Sequence, residues 1–257
     1  HAVCLLVVAW QAHSRYPLIV AGNRDEFHAR PAATADWWAD SPALLGGRDL
    51  QAGGTWLAVN RNGRFGVVTN FREPAADTAG QRSRGELVVD FLTSPAPPRR
   101  WLTDLAARSA EYGGYNLLLA GDGELHYSTN RGDDAPGLAP GIYGLSNHRL
   151  DTPWPKVRRI KDRLAALLEN EDLASAPLFR ILADRTPAPD DALPATGVPL
   201  AWERMLSAAF IVSPQYGTRV STVVRMTAQG CVEFGERRFD ANGERVGQQQ
   251  FEFRPGD

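Results

Sequence analysis

Two segments near the start of the chain are apolar at successive positions and not only at every second one. They are residues 3–10 and 17–21, and the more polar stretch between them predicts the turn of a hairpin. The strands of an antiparallel hairpin usually have one face in water, so strands that are apolar on both faces must be covered on both. Two stacked sheets with helices outside them, an αββα sandwich, meet this requirement.

The rest of the chain supplies the elements of such a sandwich. Turns containing Asn-Gly or Gly-Asp-Gly predict hairpins at residues 55–69 and 116–129. Apolar residues at helical spacing predict helices at 85–92, 99–111, 156–169 and 176–184, and four later strands are predicted at 208–212, 219–226, 231–237 and 248–253. Nothing marks a domain boundary, so we predict one α+β domain over residues 1–257, a four-layer αββα sandwich of two mainly antiparallel sheets.

The composition limits the classes of partner. Hydrophobic residues make up 43% of the chain, enough for a substantial core, and the formal net charge of −2 gives no reason to expect nucleic acid as a partner. No stretch approaches the roughly 18–20 apolar residues of a membrane-spanning helix. We therefore predict a cytoplasmic protein without an integral membrane segment that binds a small molecule, and we make no prediction of its oligomeric state.

The two cysteines, Cys4 and Cys231, are too few for a disulfide framework and have no metal-ligand spacing, so no metal site is predicted. Cys4 opens the first strand, where its side chain can reach a cleft at the end of a sheet. A free cysteine is more often buried and inert, and that interpretation stays open for Cys4. For Cys231 we adopt this interpretation of a buried, inert cysteine.

Four polar residues, Asn23-Arg24-Asp25-Glu26, follow the second apolar segment directly after Gly22. Such a run is commonly a solvated turn. In the predicted hairpin, however, Arg24 can lie beside Cys4, where a guanidinium favours the thiolate. Asp25 can then orient Arg24 through charge-assisted hydrogen bonds.

Three further polar residues, Asn70, Asn147 and Arg219, begin or end apolar segments. Their local sequences also suit turns, so each signal is weak by itself. A side-chain amide held near a nucleophile can form part of an oxyanion hole, and this is the function we consider for the two asparagines.

Motifs that include these residues run in order along nearly the whole chain. They are Cys4-Leu5-Leu6, Ala21-Gly22-Asn23-Arg24-Asp25-Glu26-Phe27, Gly53-Gly54-Thr55-Trp56-Leu57, Thr69-Asn70-Phe71-Arg72, Arg84-Gly85-Glu86-Leu87, Tyr143-Gly144-Leu145-Ser146-Asn147, Thr152-Pro153-Trp154 and Tyr216-Gly217-Thr218-Arg219. On these motifs the chain resembles the NRDE family, also called the transport and Golgi organisation protein 2 family.

The resemblance implies the fold of N-terminal nucleophile hydrolases and is nearest to penicillin V acylase and bile salt hydrolase. In those enzymes a cysteine exposed by processing attacks an amide, its own α-amine acts as the base, and no cofactor is required. The residues that match the site by position are Cys4 as nucleophile, Arg24 and Asp25 beside it, Asn70 as oxyanion donor, and Asn147 and Arg219. The Arg and Asp are spaced more widely in those enzymes than here.

One departure concerns the residues before Cys4. His1-Ala2-Val3 precede it, whereas family members usually carry the cysteine directly after the initiator methionine. Three residues extend about 10 Å, enough to carry the α-amine away from the site. They are an artificial extension, a propeptide awaiting removal, or a sign that the protein hydrolyses nothing, and the sequence leaves these open.

The alternative is a binding protein on the same scaffold. The resemblance implies a link to haem movement and, less clearly, to lipid or acyl-coenzyme A metabolism. Haem iron accepts Cys and His ligands, and His148 is the histidine best placed because it follows Asn147. Asn23, Trp56 and Phe71 complete the predicted ligand contacts, although core packing explains the aromatic residues equally well.

Overall fold

The computed structural model describes residues 3–73, 81–132 and 137–256; His1 and Ala2, part of the predicted extension, lie outside the described residues. The strands are β1 Val3–Trp10, β2 Leu18–Phe27, β3 Ala32–Trp37, β4 Leu44–Asp49, β5 Leu57–Asn60, β6 Phe65–Asn70, β7 Tyr115–Gly121, β8 Glu124–Thr129, β9 Gly141–Leu145, β10 Tyr216–Met226, β11 Val232–Phe239 and β12 Arg245–Phe253. The α-helices are α1 Gly85–Thr93, α2 Pro98–Ala106, α3 Pro155–Leu168, α4 Ser175–Leu182 and α5 Leu200–Leu206.

The strands form two antiparallel sheets of six. Sheet A has the order β12-β11-β10-β2-β1-β9, and sheet B has the order β3-β4-β5-β6-β7-β8. In sheet A, β1 lies between β2 and β9, but β9 pairs only with Leu6–Trp10, so the start of β1 is paired with β2 alone. Cys4 pairs with Arg24 of β2 in this register.

Successive residues of β1 enter two different cores. Leu6 and Val8 point between the sheets and pack with sheet B residues such as Leu118, whereas Leu5 and Val7 point outward against α3 and α4. A third core packs α1 and α2 on the outer face of sheet B. The layers are therefore helix, sheet, sheet, helix, and the predicted αββα sandwich is confirmed. It explains why the first two strands are apolar on both faces.

The three predicted hairpins and the four predicted helices are present. The helices shift by one or two residues at their ends, except that the helix predicted at 99–111 ends at Ala106 and is followed by a separate 3-10 turn at Ser109–Glu111. At the turn between β5 and β6, Gly63 has a φ of 76°, the positive value expected there. The prediction of a strand at 208–212 is wrong. These residues form no strand, and they are apolar because Ala209 and Ile211 pack into cores.

The sequence did not predict β3, β4 or α5. In β4, Gly46 lies so close to β5 that an added Cβ would be 2.6 Å from the carbonyl oxygen of Leu57. A glycine pair normally counts against a strand, but here the close approach of two backbones requires it. Helix α5 follows a proline-rich loop, and this composition gave no signal in the sequence for the start of a helix.

The Asn23–Glu26 run was expected to follow the second strand, and this is corrected. Strand β2 continues to Phe27 and pairs with both β1 and β10, so the four residues lie in the middle of sheet A. Their exposed fractions are 3%, 4%, 0% and 6% in order, which excludes the solvated turn. Because these residues are buried in a paired strand, their charged side chains require partners inside the protein. Separately, no helix among the described residues is both long and apolar enough to cross a membrane.

The core between the sheets can be tested at Leu118, which is fully buried there. Replacing Leu118 by Ala removes three carbons and leaves a cavity, so we expect unfolding free energy to fall by about 3 kcal/mol. Urea denaturation measures it. The control is Leu50→Ala, at a leucine that is 57% exposed, where we expect a change within about 0.5 kcal/mol. Equal effects at both sites would contradict the sandwich.

Candidate functional site

The backbone of Cys4 is held by the segment that follows β9. Its N–H donates to Oδ1 of Asn147 (3.2 Å), and its carbonyl oxygen accepts a hydrogen bond from Oγ of Ser146 (2.9 Å). Strand β9 ends at Leu145, so these contacts take over where the backbone ladder stops. The position of the thiol-bearing residue thus depends on two side chains about 140 residues away.

Asn147 also ties sheet A to sheet B. Its Nδ2 donates to the carbonyl oxygen of Asn70 at the end of β6 (2.8 Å), and Oγ1 of Thr69 donates to the carbonyl oxygen of Ser146 (2.9 Å). The two asparagines predicted from the sequence are therefore neighbours at the Cys4 end of the sandwich. Asn147 contacts Cys4 directly, and Asn70 joins it through its backbone carbonyl.

Arg24 lies between the sheets on the same side as Cys4. Its guanidinium is 4.5 Å from the ring centre of Trp56, and Nη2 is 3.4 Å from Asp49 and 3.6 Å from Glu26. Its other terminal nitrogen, Nη1, is buried and has no hydrogen-bond partner among the described residues. An arginine that is fixed on one side and free on the other is suited to binding a carbonyl or anionic oxygen.

A small cavity of about 10 Å³, roughly one water-sized space, lies between the sheets. Cys4, Arg24 and Trp56 line it together with apolar residues, and Gly22 opens space beside Leu6. The other polar residues of its lining are Asn23, Thr69 and Thr222. The arrangement places a thiol and an unpartnered cationic donor on one cavity.

Burial raises the pKa of Cys4 to about 12, and the nearby charge of Asp25 adds to this. Arg24 and a hydrogen bond from the backbone N–H of Asp25 lower the pKa, but by less. Arg24 therefore lowers the pKa of Cys4 as predicted, but burial raises that pKa by more. The thiol is therefore neutral at physiological pH and needs a base before it can act as a nucleophile.

Asp25 points to the opposite face of sheet A from Arg24, because successive residues of a strand alternate. Its Oδ1 accepts a hydrogen bond from Oγ1 of Thr218 (2.6 Å), and burial raises its pKa to about 6, with Lys156 opposing. The prediction that Asp25 orients Arg24 is wrong, because Asp25 forms no ion pair with Arg24 among the described residues. The carboxylates beside Arg24 are those of Asp49 and Glu26.

The side chains of two other predicted residues, Arg219 and Asn23, bind backbone carbonyl groups, although Asn23 also lines the Cys4 cavity. Arg219 lies at a bulge in β10, and its Nη1 donates to three carbonyl oxygens of the loop after β2, those of Phe27, His28 and Arg30. Asn23 faces the helices, and its Nδ2 donates to the carbonyl oxygens of Leu182 (2.9 Å) and Ala209 (2.7 Å). Both side chains fix loops around the site.

His148 packs between two rings. Its ring centre is 5.0 Å from that of Phe71 and 5.8 Å from that of Trp154, and Nδ1 is 2.9 Å from Oγ1 of Thr152. Burial and the nearby Arg149 lower the pKa of His148, so its imidazole is neutral at pH 7. In the part of the chain that the structure describes, no three His, Cys, Asp or Glu residues gather into a metal site.

Sequence reasoning missed two buried ionisable residues near the site, Lys156 and Glu236. Glu236 is 1% exposed, burial raises its pKa to about 7, and its Oε1 accepts a hydrogen bond from the backbone N–H of Ala35. Lys156 occupies the same face of α3 as Ile160 and Leu164, and this spacing already indicated a lysine turned toward the core. No comparable pattern marks Glu236.

The burial of Cys4 predicts slow alkylation. At pH 8 a thiol with a pKa of about 12 is ionised in roughly one molecule in 10⁴, so we expect iodoacetamide to modify Cys4 at least about 100-fold more slowly than the partly exposed Cys231. Peptide mass spectrometry at intervals measures both rates in one sample. The difference should disappear in urea, and equal rates in the folded protein would contradict the site.

Comparison with known proteins gives the family. The Transport and Golgi organisation 2 family model matches residues 3–241. The Transport and Golgi organization protein 2 homologs of Bos taurus and Homo sapiens are 38% and 36% identical to this chain over 240 and 241 residues, covering 86% of each protein. The Drosophila melanogaster protein is 29% identical over 259 residues.

Two solved structures are similar with low sequence identity. The Caenorhabditis elegans N-acylethanolamine-hydrolyzing acid amidase ortholog has a TM-score of 0.48 and 11% identity, over 86% of this chain and 92% of its own. A mutant conjugated bile acid hydrolase from Clostridium perfringens has a TM-score of 0.43 and 9% identity, over 99% and 97%. The family model and the animal relatives carry the assignment: this chain belongs to the Transport and Golgi organisation 2 family.

Proposed function

We propose that this protein is a cysteine hydrolase that cleaves a linear amide of a small molecule, with Cys4 as the nucleophile. The observation that carries the proposal is the cavity between the sheets, which Cys4 and Arg24 line together while Nη1 of Arg24 has no partner among the described residues. A thiol opposite a fixed cationic donor is the pair of groups that attack on a carbonyl requires.

The base for this reaction is the α-amine of Cys4 in a processed form of the chain. With Val3 attached, the nitrogen of Cys4 is an amide that donates to Asn147 and cannot accept a proton. A free α-amine has a pKa near 8 and can accept the thiol proton at physiological pH. Asn147 Oδ1 already accepts a hydrogen bond from this nitrogen, and it would hold the amine in the same place.

The reaction then proceeds in two steps, formation of a thioester on Cys4 and its hydrolysis. The amine takes the thiol proton, sulfur attacks the carbonyl carbon, and the leaving amine departs with the proton from the α-ammonium group. Water next attacks the thioester, giving its proton to the α-amine, and the acid is released as the thiol is restored. During both attacks Nη1 of Arg24 is the donor for the negative oxygen, and Trp56, Asp49 and Glu26 keep Arg24 from turning away.

Binding of haem or an acyl-coenzyme A stays a prediction, and no specific contact favours it over hydrolysis. Cys4 is 9% exposed and the cavity beside it measures about 10 Å³. A haem titration followed by the Soret band checks it. A saturable shift that is lost in both Cys4→Ala and His148→Ala would establish ligation by these residues, and an unchanged band would exclude haem.

Replacing Cys4 tests hydrolysis. Protein whose N-terminal residue is shown by intact mass to be Cys4 is assayed against a panel of small linear N-acyl amides. We expect Cys4→Ala to lower turnover by about 1000-fold or more, because the nucleophile is lost. The matched control is Cys231→Ala, which removes the other free thiol and should retain full turnover.

Two outcomes would contradict this mechanism. One is full turnover by Cys4→Ala protein. The other is full turnover by protein in which intact mass shows Val3 still attached to Cys4, because the α-amine would then be unable to act as the base.

A further inference from the structure

A second small cavity lies between the start of α3, α5 and the segment after β6. Its volume is about 10 Å³, and the residues around it include Arg72, Trp154, Lys156 and Glu203. It lies on the helix side of sheet A, whereas the Cys4 cavity lies between the sheets. The hydrolysis proposed above does not use it.

Lys156 presents a buried amine to this cavity. The residue is 3% exposed, and Nζ has no hydrogen-bond partner within the described ranges. It is buried because it shares the inward face of α3 with Ile160 and Leu164. Asp25 attracts this amine electrostatically but does not hydrogen-bond to it, so Nζ still has room for an anionic oxygen as a hydrogen-bond partner.

Arg72 supplies a second set of unpartnered donors. Its guanidinium stacks on Trp154 at 4.8 Å, and Nη1 donates to Oε2 of Glu203 (3.1 Å) and to Oγ1 of Thr196 (3.4 Å). The remaining nitrogens, Nε and Nη2, are buried and lack partners in the described chain. These two form one edge of the guanidinium, the fork whose spacing matches the two oxygens of a carboxylate.

Glu203 does not provide the missing partner. Its Oε2 accepts from Arg72 Nη1, and its Oε1 accepts from the backbone N–H of Thr196 (2.9 Å) and from Oγ1 of the same residue (2.5 Å). Arg72 and Lys156 therefore line one cavity, and three of their buried nitrogens have no hydrogen-bond partner among the described residues. Their mutual repulsion would be relieved by an anion placed between them.

We propose that this cavity binds a small carboxylate, with Nε and Nη2 of Arg72 donating to its oxygens and Nζ of Lys156 as the second cationic donor. The shape of the free guanidinium edge favours a carboxylate over a spherical anion. The small volume of the cavity, about 10 Å³, favours a compact acid over a bulky one.

The proposal has a defined pH dependence. Burial lowers the pKa of Lys156 to about 8, Asp25 of β2 opposes this, Arg72 adds to it, and Cys4 of β1 and Glu203 of α5 oppose it weakly. A carboxylate binds the protonated amine, so binding must raise this pKa. At pH values where the acid itself is ionised, affinity is then full up to about pH 8 and falls by up to tenfold per pH unit above it.

The chain offers a direct probe, because Lys156 and Lys161 are its only lysines. Protein labelled with ¹³C-lysine gives two Cε signals, and Lys161→Met assigns them. Formate and acetate are titrated at constant ionic strength, with chloride and inorganic phosphate as separate arms. We expect formate or acetate to shift the Lys156 signal saturably and to raise its titration midpoint. Lys161, which pairs with Asp151, should not respond.

Variants of Arg72 and Lys156 test the proposed contacts with the carboxylate. Arg72→Lys keeps the charge but removes the fork, so the dissociation constant should rise at least about tenfold. Lys156→Met should abolish carboxylate-dependent thermal stabilisation, and Lys161→Met on the same helix should retain it. The titration is repeated in Cys4→Ala protein, where we expect saturable binding to persist, so that failure of the proposed hydrolysis does not affect the result.

Three outcomes would overturn the carboxylate site. They are a Lys156 signal that is unmoved by either acid up to roughly 100 mM, a hundred times a millimolar dissociation constant; equal shifts of both lysines; and saturation by chloride or phosphate without saturation by formate or acetate.

Discussion

The side chain of Asn147 is the interaction on which the site depends. Its Oδ1 holds the backbone nitrogen of Cys4 in sheet A, and its Nδ2 holds the carbonyl oxygen of Asn70 in sheet B. One amide thus closes the end of the sandwich where the β1–β9 ladder and strand β6 stop. A buried amide that uses both its donor and its acceptor allows little freedom, so the cavity beside Cys4 has a defined geometry.

The alternation of β2 then divides the buried charges into two groups. Arg24 and Glu26 point between the sheets and pair with Asp49 and Arg30, beside the Cys4 thiol. Asp25 points toward the helices and interacts electrostatically with Lys156. A single strand therefore supplies charge to two cavities on opposite faces of one sheet. The first cavity contains the thiol that we propose as nucleophile, and the second is lined by Arg72 and Lys156 together with the carboxylate residue Glu203.

Much of the site could be predicted from the sequence, but not the orientation of its side chains. Cys4, Arg24, Asn70 and Asn147 lie near one another, because Arg24 pairs with Cys4 in the β1–β2 hairpin and Asn147 bonds to both Cys4 and Asn70. Asp25 and Arg219 were also expected there, yet one faces the helices and the other binds loop carbonyls. The polar run did not reveal that β2 continues to Phe27. The alternation along this strand, which turns Asp25 to the opposite face from Arg24, was therefore not predicted.

What the sequence determined by itself was the layering, because strands apolar on both faces can be buried only between two sheets or under helices. The tertiary structure alone decided the chemistry of the buried charges. Asp49, Glu203 and Lys156 are far apart in the chain, and each acquires its partners or lacks them only after the layers pack. The protonation state of Cys4 was decided in the same way, since burial outweighs the guanidinium beside it.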